Sequence, residues 1–357
     1  MKLTDAPFAL SANALPLDVR AFRDEDANRW EHFVQGCPQA SFFPRIGWRE
    51  IYEQVFGHST HYLLAQRDGE VAGVLPLVEL RSWLFGHSLV SLPFAAYGGA
   101  AAVDADTVRA LHAHAVELAR ELDVEFLELR NTVAREPDWP RQDLYVDFRR
   151  ELQADVDANL LAIPRKQRAM VRKGIQRGLR SEIDADVRRF SELYADNQHR
   201  HGSPAQSPRY FEALKRVFGD DCEVLVVTDP QGAPVSGVLS FYFRDEVLPY
   251  YAGDLPAARD LAANDFKYWE LMRRACERGI RVFDYGRSKR GTGSFDFKKN
   301  WGFEPTPLHY EYALFKRESI PQNNPSNPKY QRAIELWRRL PRPVVDFVGP
   351  RLARHLG

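Results

Sequence analysis

Arg287, Lys289, Arg290, Lys298 and Lys299 fall within thirteen residues, opposed only by Asp296. Between them Gly291-Thr292-Gly293 supplies a flexible turn whose backbone N–H groups could approach an anion closely. Arg offers a bidentate fork and Lys a point charge, so this loop suits a phosphate-bearing substrate. The plainer alternative is a solvated basic loop with Phe297 and Trp301 in the core. A second segment, Ile163–Arg180, has seven basic residues, Arg165 and Arg172 among them, and no acidic one. Val171, Ile175 and Leu179 recur every four residues, which predicts a helix with one apolar stripe, weakened by Gly174 and Gly178. Seven uncompensated charges repel one another without a partner, such as the phosphates of a nucleotide, a tRNA acceptor end or a lipid headgroup. For acid–base chemistry the candidates are Asp284, at the end of an expected strand beside Arg287, and His199 and His201, in an expected loop before Gly202-Ser203-Pro204. A structural ion pair is the alternative role for Asp284. An amine that arrives deprotonated needs no dedicated base, because positioning and oxyanion stabilisation supply much of the rate.

The elements that must hold these residues occur twice. Val71-Ala72-Gly73-Val74-Leu75 stands opposite Val235-Ser236-Gly237-Val238-Leu239 at an offset of 164, and Pro44-Arg45 … Val55-Phe56-Gly57 is echoed by Pro208-Arg209 … Val217-Phe218-Gly219. Asp68-Gly69 and Pro230-Gln231-Gly232 are hairpin turns. Val108, Leu111, Ala115 and Leu118 mark one following helix; Phe266, Trp269, Met272 and Cys276 mark the other, with Asn264 as the expected N-cap and Gly279 as the stop. Strands ending at Arg130 and Arg287 close the two halves. Each half therefore reads as helix, hairpin, further strand, helix, strand: an α/β unit with a mixed, mostly antiparallel sheet flanked by helices. The expected division is 15–150, 151–320 and a tail at 321–357, with a linker near Asp138–Asp155. Tyr250, Tyr251 and Asp254 form an aromatic-acid cluster at a strand end, and Tyr97 lies at the equivalent strand end of the first half; with Phe297 and Trp301 these are the expected cleft lining, core packing being the alternative.

The chain has 357 residues with 49 basic and 49 acidic side chains, a balance that argues against a general polyanion-binding protein. Cys37, Cys222 and Cys276 stand alone, so no disulfide framework and no metal site is expected, and the compartment reads as reducing. Asp5 and Pro7 interrupt what a secretory signal would require. Ser82–Val103 lacks charge over 22 residues, but Gly86, Pro93, Gly98 and Gly99 favour two buried strands around a turn over a membrane span. After the linker QNNPSNPK, Tyr330–Gly357 carries six Arg against one Glu and one Asp, interleaved with Leu336, Trp337, Val344 and Phe347. That composition suits an anionic membrane surface or a partner groove, while a tail packed back on its own domain is the alternative.

The order of elements resembles a tandem acetyltransferase-like (GNAT) fold. The run Phe283-Asp284-Tyr285-Gly286-Arg287 … Phe297-Lys298-Lys299-Asn300-Trp301-Gly302-Phe303 resembles the FemAB family of aminoacyltransferases and its BioF2-like acetyltransferase relatives, in particular FemAB-related proteins of exopolysaccharide and PEP-CTERM loci. The resemblance covers about residues 40–320. It implies transfer of an acyl or aminoacyl group to an amine of a cell-envelope or exopolysaccharide precursor, from aminoacyl-tRNA or from acyl-coenzyme A, with no tightly bound cofactor and a cytoplasmic location peripheral to the inner membrane. It also implies that Lys298, in the F-K-x-x-W-G position, contacts the precursor's phosphates, and that the basic segment at 163–180 has a counterpart in the family. Two departures leave the donor open. The loop Ala252–Asp265 lacks the Q/R-x-x-G-x-G/A pattern that cradles the coenzyme A diphosphate, and no long helical hairpin is inserted. The alternatives are a coenzyme A-dependent N-acyltransferase acting on an amino sugar, and a non-catalytic scaffold of a polysaccharide-synthesis complex.

Overall fold

A computed structural model of the chain describes residues 17–82, 86–321 and 328–355. The N-terminal segment read above for a signal, the tip of the 82–103 stretch and most of the QNNPSNPK linker lie outside the described residues. The duplicated pattern folds as duplicated sheets. In the first half, hairpin strands Leu63–Arg67 and Glu70–Leu75 turn at Asp68 and Gly69, both at positive φ (53° and 80°), and pair between Leu17–Ala21 and Ala101–Ala102. In the second half, Cys222–Thr228, Pro234–Phe243 and Glu246–Asp254 form the antiparallel centre of a larger sheet. Helices Ala105–Glu121 and Ala263–Glu277 bury the expected stripes except Leu118, which is half-buried; the second begins one residue before Asn264, after Ala262 rather than a side-chain cap.

The two halves exchange strands. Tyr145–Glu151 pairs antiparallel with Val282–Asp284, setting Arg149 opposite Asp284, and so belongs to the second sheet. His309–Leu314 pairs antiparallel with Phe126–Asn131, setting Tyr310 opposite Arg130, and so belongs to a sheet of the first half. The linker expected near Asp138–Asp155 is thus largely a strand. Val146 and Phe148 are buried while Arg149 and Glu151 face out, and that charged outer face hid the period-two pattern.

An aromatic core seals the halves together. Phe42 stacks on Phe241 with centroids 4.3 Å apart and packs with Phe218 at 4.7 Å, and Trp48 is fully buried beside them. Large buried aromatics contribute about 1.5–3 kcal/mol each, so rings shared by both halves favour a fixed geometry between them. The basic helix forms as Arg165–Gln176 with only Val171 and Gly174 buried; Ile175 is 50% exposed and Leu179 lies beyond the helix end. Gly174 does not merely weaken it: a Cβ there would meet Phe266 at 2.8 Å, so glycine permits close packing on helix Ala263–Glu277. The tail forms two helices, Pro328–Arg339 and Arg342–Ala353, which pack back through Trp337, Val345 and Ala353.

Candidate active site

Strand Glu246–Asp254 runs parallel to Val282–Asp284 at two positions only, Glu246 with Val282 and Val247 with Phe283. Beyond them lies Pro249, which has no N–H to donate, and the register with the other neighbouring strand shifts between Leu239 and Ser240. The strands part there. Tyr250, Tyr251 and Ala252 line one edge of the gap, and Tyr285, Gly286 and Arg287 the other. The gap opens into a cleft of about 640 Å³ whose far wall comes from the first half and the exchanged strand, with Glu128, Arg130 and Tyr310.

Arg287 is the cation that the cleft leaves without a counter-charge. Its Nη1 donates to the Tyr310 hydroxyl at 3.0 Å, and its guanidinium lies 4.6 Å from the Tyr145 ring centroid. The Tyr310 hydroxyl in turn donates to the Ala96 carbonyl. Arg130, the repeat counterpart, lies 5.3 Å from the same Tyr310 ring, but its Nε is committed to Glu128 at 2.6 Å. No carboxylate lies within 4.0 Å of Arg287 among the described residues. A desolvated guanidinium with unused N–H groups facing a cleft is a receptor for an anion.

Beneath this wall sits a buried polar cluster. Thr292 caps helix Gly293–Asn300, which turns Lys298 inward. The Lys298 ammonium donates to the carbonyls of Tyr285 (2.7 Å), Gly286 (2.9 Å) and Arg287 (3.1 Å), pinning the turn that carries Arg287; Gly286 holds φ +65° there. Burial pushes Lys298 down to about 8, against the pull of Asp147 and Asp284. Asp284 is fully buried and accepts hydrogen bonds from Gly286 N at 2.7 Å and from the Tyr97 hydroxyl of the first half. Asp147, on the exchanged strand, is buried beside Asp284; burial first, and then the Asp284 charge, raise its carboxyl well above the usual range.

Several expected site residues take other places. Lys298 borders the cleft, but its three N–H donors are already committed to carbonyls, which leaves none for the expected phosphate contact. Asp284 and Tyr97 join the halves beneath the cleft rather than facing it, so Asp284 is not placed as a cleft acid or base. His201 ends helix Arg188–His201 with Nδ1 against the Asn197 carbonyl at 2.6 Å, and is exposed away from the cleft. Arg290 and Lys299 are exposed, Arg290 donating to the Asp143 carbonyl at 3.1 Å, and Lys289 lies on the short strand Ser288–Lys289 outside the lining. Arg165 and Arg172 are exposed on their helix, also outside it. Asp254 pairs with the buried Lys267 at 2.8 Å; Phe297 and Trp301 pack in the second core, Trp301 Nε1 donating to Asp265 at 2.9 Å. Tyr250, Tyr251, Arg287 and Lys298 are the expected residues that line the cleft, Lys298 with its donors already committed. Arg130, Tyr145 and Tyr310 were missed as site residues, although the repeat had aligned Arg130 with Arg287.

Residues 165–299 match the family model described as an acetyltransferase (GNAT) domain. No curated protein matches the chain. The solved structure of FemX covers 89% of this chain and 100% of its own at 16% identity, with a TM-score of 0.64. The C-terminal domain of a putative lysylphosphatidylglycerol synthetase from Agrobacterium fabrum covers 82% of this chain and 92% of its own at 14% identity and a TM-score of 0.57. A tandem GNAT protein from the clavulanic acid biosynthesis pathway covers 85% and 100% at 15% identity and a TM-score of 0.52. The matched model gives residues 165–299 an acetyltransferase (GNAT) domain, and the paired sheets share the fold of a tandem GNAT protein. The fold of the whole chain is that shared with FemX and with the tandem GNAT protein. Among the described residues no helix is long and apolar enough to cross a membrane.

Proposed function

We propose that this protein transfers an aminoacyl or acyl group to an amine of an anionic cell-envelope or exopolysaccharide precursor, held in the cleft between the two units. The observation that carries the reading is Arg287, turned to the cleft without a carboxylate partner and fixed by the Lys298-pinned turn. The precursor's phosphate meets Arg287, which leaves its amine at the parting of the strands. There the neutral amine attacks the donor's ester or thioester carbonyl. As the tetrahedral intermediate collapses, the C–N bond is kept, the C–O or C–S bond breaks, and the amine's proton ends on the departing hydroxyl or thiol. Among the described residues Glu128 is the one carboxylate of the lining, and it is paired with Arg130, so positioning carries more of the rate than a dedicated base.

The donor reading follows from two other features. In the loop before helix Ala263–Glu277, the amides of Ala258, Arg259 and Ala262 donate to Leu255, Pro256 and Arg259 carbonyls, so they do not form an open cradle for a diphosphate. Helix Arg165–Gln176, packed on that same helix, presents Arg165, Lys166 and Arg172 without carboxylate partners among the described residues. A polyanionic carrier such as aminoacyl-tRNA fits both features better than coenzyme A. The tail is read as meeting an anionic membrane surface, because Leu336 and Phe347 stay 62% and 65% exposed among its arginines. Single-turnover transfer from labelled aminoacyl-tRNA and from acyl-coenzyme A tests the reading. Transfer from tRNA is expected; transfer from coenzyme A alone would overturn the donor assignment, and transfer from neither would overturn the function.

A further inference from the structure

A second concavity, of about 750 Å³, lies outside the cleft, where three parts of the chain meet. Gln54–Phe56 of the first half form one side, helix Pro208–Phe218 the second, and the end of tail helix Arg342–Ala353 the third. Four arginines line it, Arg209, Arg216, Arg351 and Arg354, against a single acid, Glu212. Arg216 is paired with Glu50 at 2.6 Å, whereas Arg209, Arg351 and Arg354 have no carboxylate within 4.0 Å among the described residues. Two of these are positioned by local contacts. The Arg351 guanidinium lies 3.9 Å from the Phe347 ring centroid, and Arg354 Nε donates to His355 Nε2 at 3.1 Å. The Arg354 carbonyl meets His58 Nε2 at 2.8 Å, which ties this end of the tail to the first half.

Like charges drawn into one concavity repel, and only one of these four arginines is matched by an acid within 4.0 Å among the described residues; a bound anion would relieve the cost. The groove also adjoins the cleft. Gln206 lines both, and the consecutive residues Ala353, Arg354 and His355 pass from one to the other. From these features we propose that the groove is a phosphate-binding subsite, recognising a diphosphate or phosphate monoester through Arg209, Arg351 and Arg354. The same chemistry is presented by a free phosphorylated molecule and by a phospholipid headgroup. A substrate whose amine lies in the cleft would place its phosphate here or at Arg287; this link alone rests on the transferase reading, since binding in the groove needs no transfer.

The test uses the full chain and two probes: inorganic diphosphate by titration calorimetry, and flotation with phosphatidylglycerol-containing vesicles, with and without competing diphosphate. The variants are the double change Arg209→Glu/Arg351→Glu and, as a charge control, Arg259→Glu on an exposed helix elsewhere, each checked by thermal midpoint. The proposal expects saturable diphosphate binding that weakens at least tenfold in the double variant and less than twofold in Arg259→Glu. Diphosphate binding without flotation would assign the site to free phosphates, and flotation displaced by diphosphate would assign it to headgroups; each supports the proposal. Absence of saturable binding to either probe, or equal weakening in Arg259→Glu, would overturn it. Failure of the transferase reading shows separately, as lost transfer with diphosphate binding intact.

Discussion

Replacing Asp147 by Asn should stabilise the protein, and by an amount that depends on pH. Asp147 and Asp284 are two carboxyls in one buried site, and Asp147's folded pKa is raised by burial first and by the Asp284 charge second. The folded chain therefore holds a proton that the unfolded chain releases near pH 4. Between that point and the raised folded value, folding binds more protons than unfolding, so stability falls as pH rises. For one proton the slope is at most about 1.4 kcal/mol per pH unit. Asn is close to isosteric, can donate an amide N–H towards the Asp284 carboxylate, and has no proton to lose. Lys298, pushed down to about 8, acts with the opposite sign only at higher pH, where stability rises from pH 8 towards the ordinary lysine value. Urea denaturation of both proteins at pH 4 to 7 isolates the carboxyl pair. The variant's advantage should be near zero at pH 4 and grow with pH, approaching the limiting slope while the folded value is not yet reached. An advantage that is flat or shrinks with rising pH would refute the account of a protonated Asp147.

Tyr97→Phe removes the donor that ties the first half to Asp284, and should cost about 1–3 kcal/mol in the same assay, because a buried carboxylate oxygen loses its partner. Glu311→Ala on the exchanged strand should cost more: that fully buried carboxylate accepts from the backbone N–H groups of Arg135 and Glu136 and from Asn131 Nδ2, and all three would be stranded. Removing residues 330–357 should abolish flotation with anionic vesicles if the tail meets membranes; unchanged flotation would exclude that role.

The duplicated architecture was legible because hairpin turns and helix stripes are local signals. Asp68-Gly69, the stripe Val108, Leu111 and Ala115, and the stop at Gly279 each declare themselves within a few residues. The strand exchange was not legible, since it is a long-range pairing and Tyr145–Glu151 carries charges along its outer face. For the site, sequence brought forward Arg287, Tyr250 and Tyr251 but could not show which cations were already satisfied. Lys298 and Arg287 look equivalent as charges in a loop. Only the structure shows that three carbonyls occupy the first, whereas the second has a tyrosine hydroxyl and an open cleft. Arg130 and Tyr310 were missed because neither stands in a basic run: one lies on a first-half strand and the other on the exchanged strand that brings it to the cleft.

The central claim is that Arg287 receives the acceptor's anionic group. Its most direct measurement is kcat/KM for the wild type and Arg287→Ala, each with a phosphate-bearing amine acceptor and with the same acceptor dephosphorylated. A charge-assisted hydrogen bond of about 1.5–3 kcal/mol corresponds to a loss of roughly 10- to 150-fold with the phosphorylated acceptor. With the dephosphorylated acceptor the two proteins should agree within about twofold, because the interaction is then absent from both. An equal loss on both acceptors would contradict the account and make Arg287 a structural residue of the cleft wall.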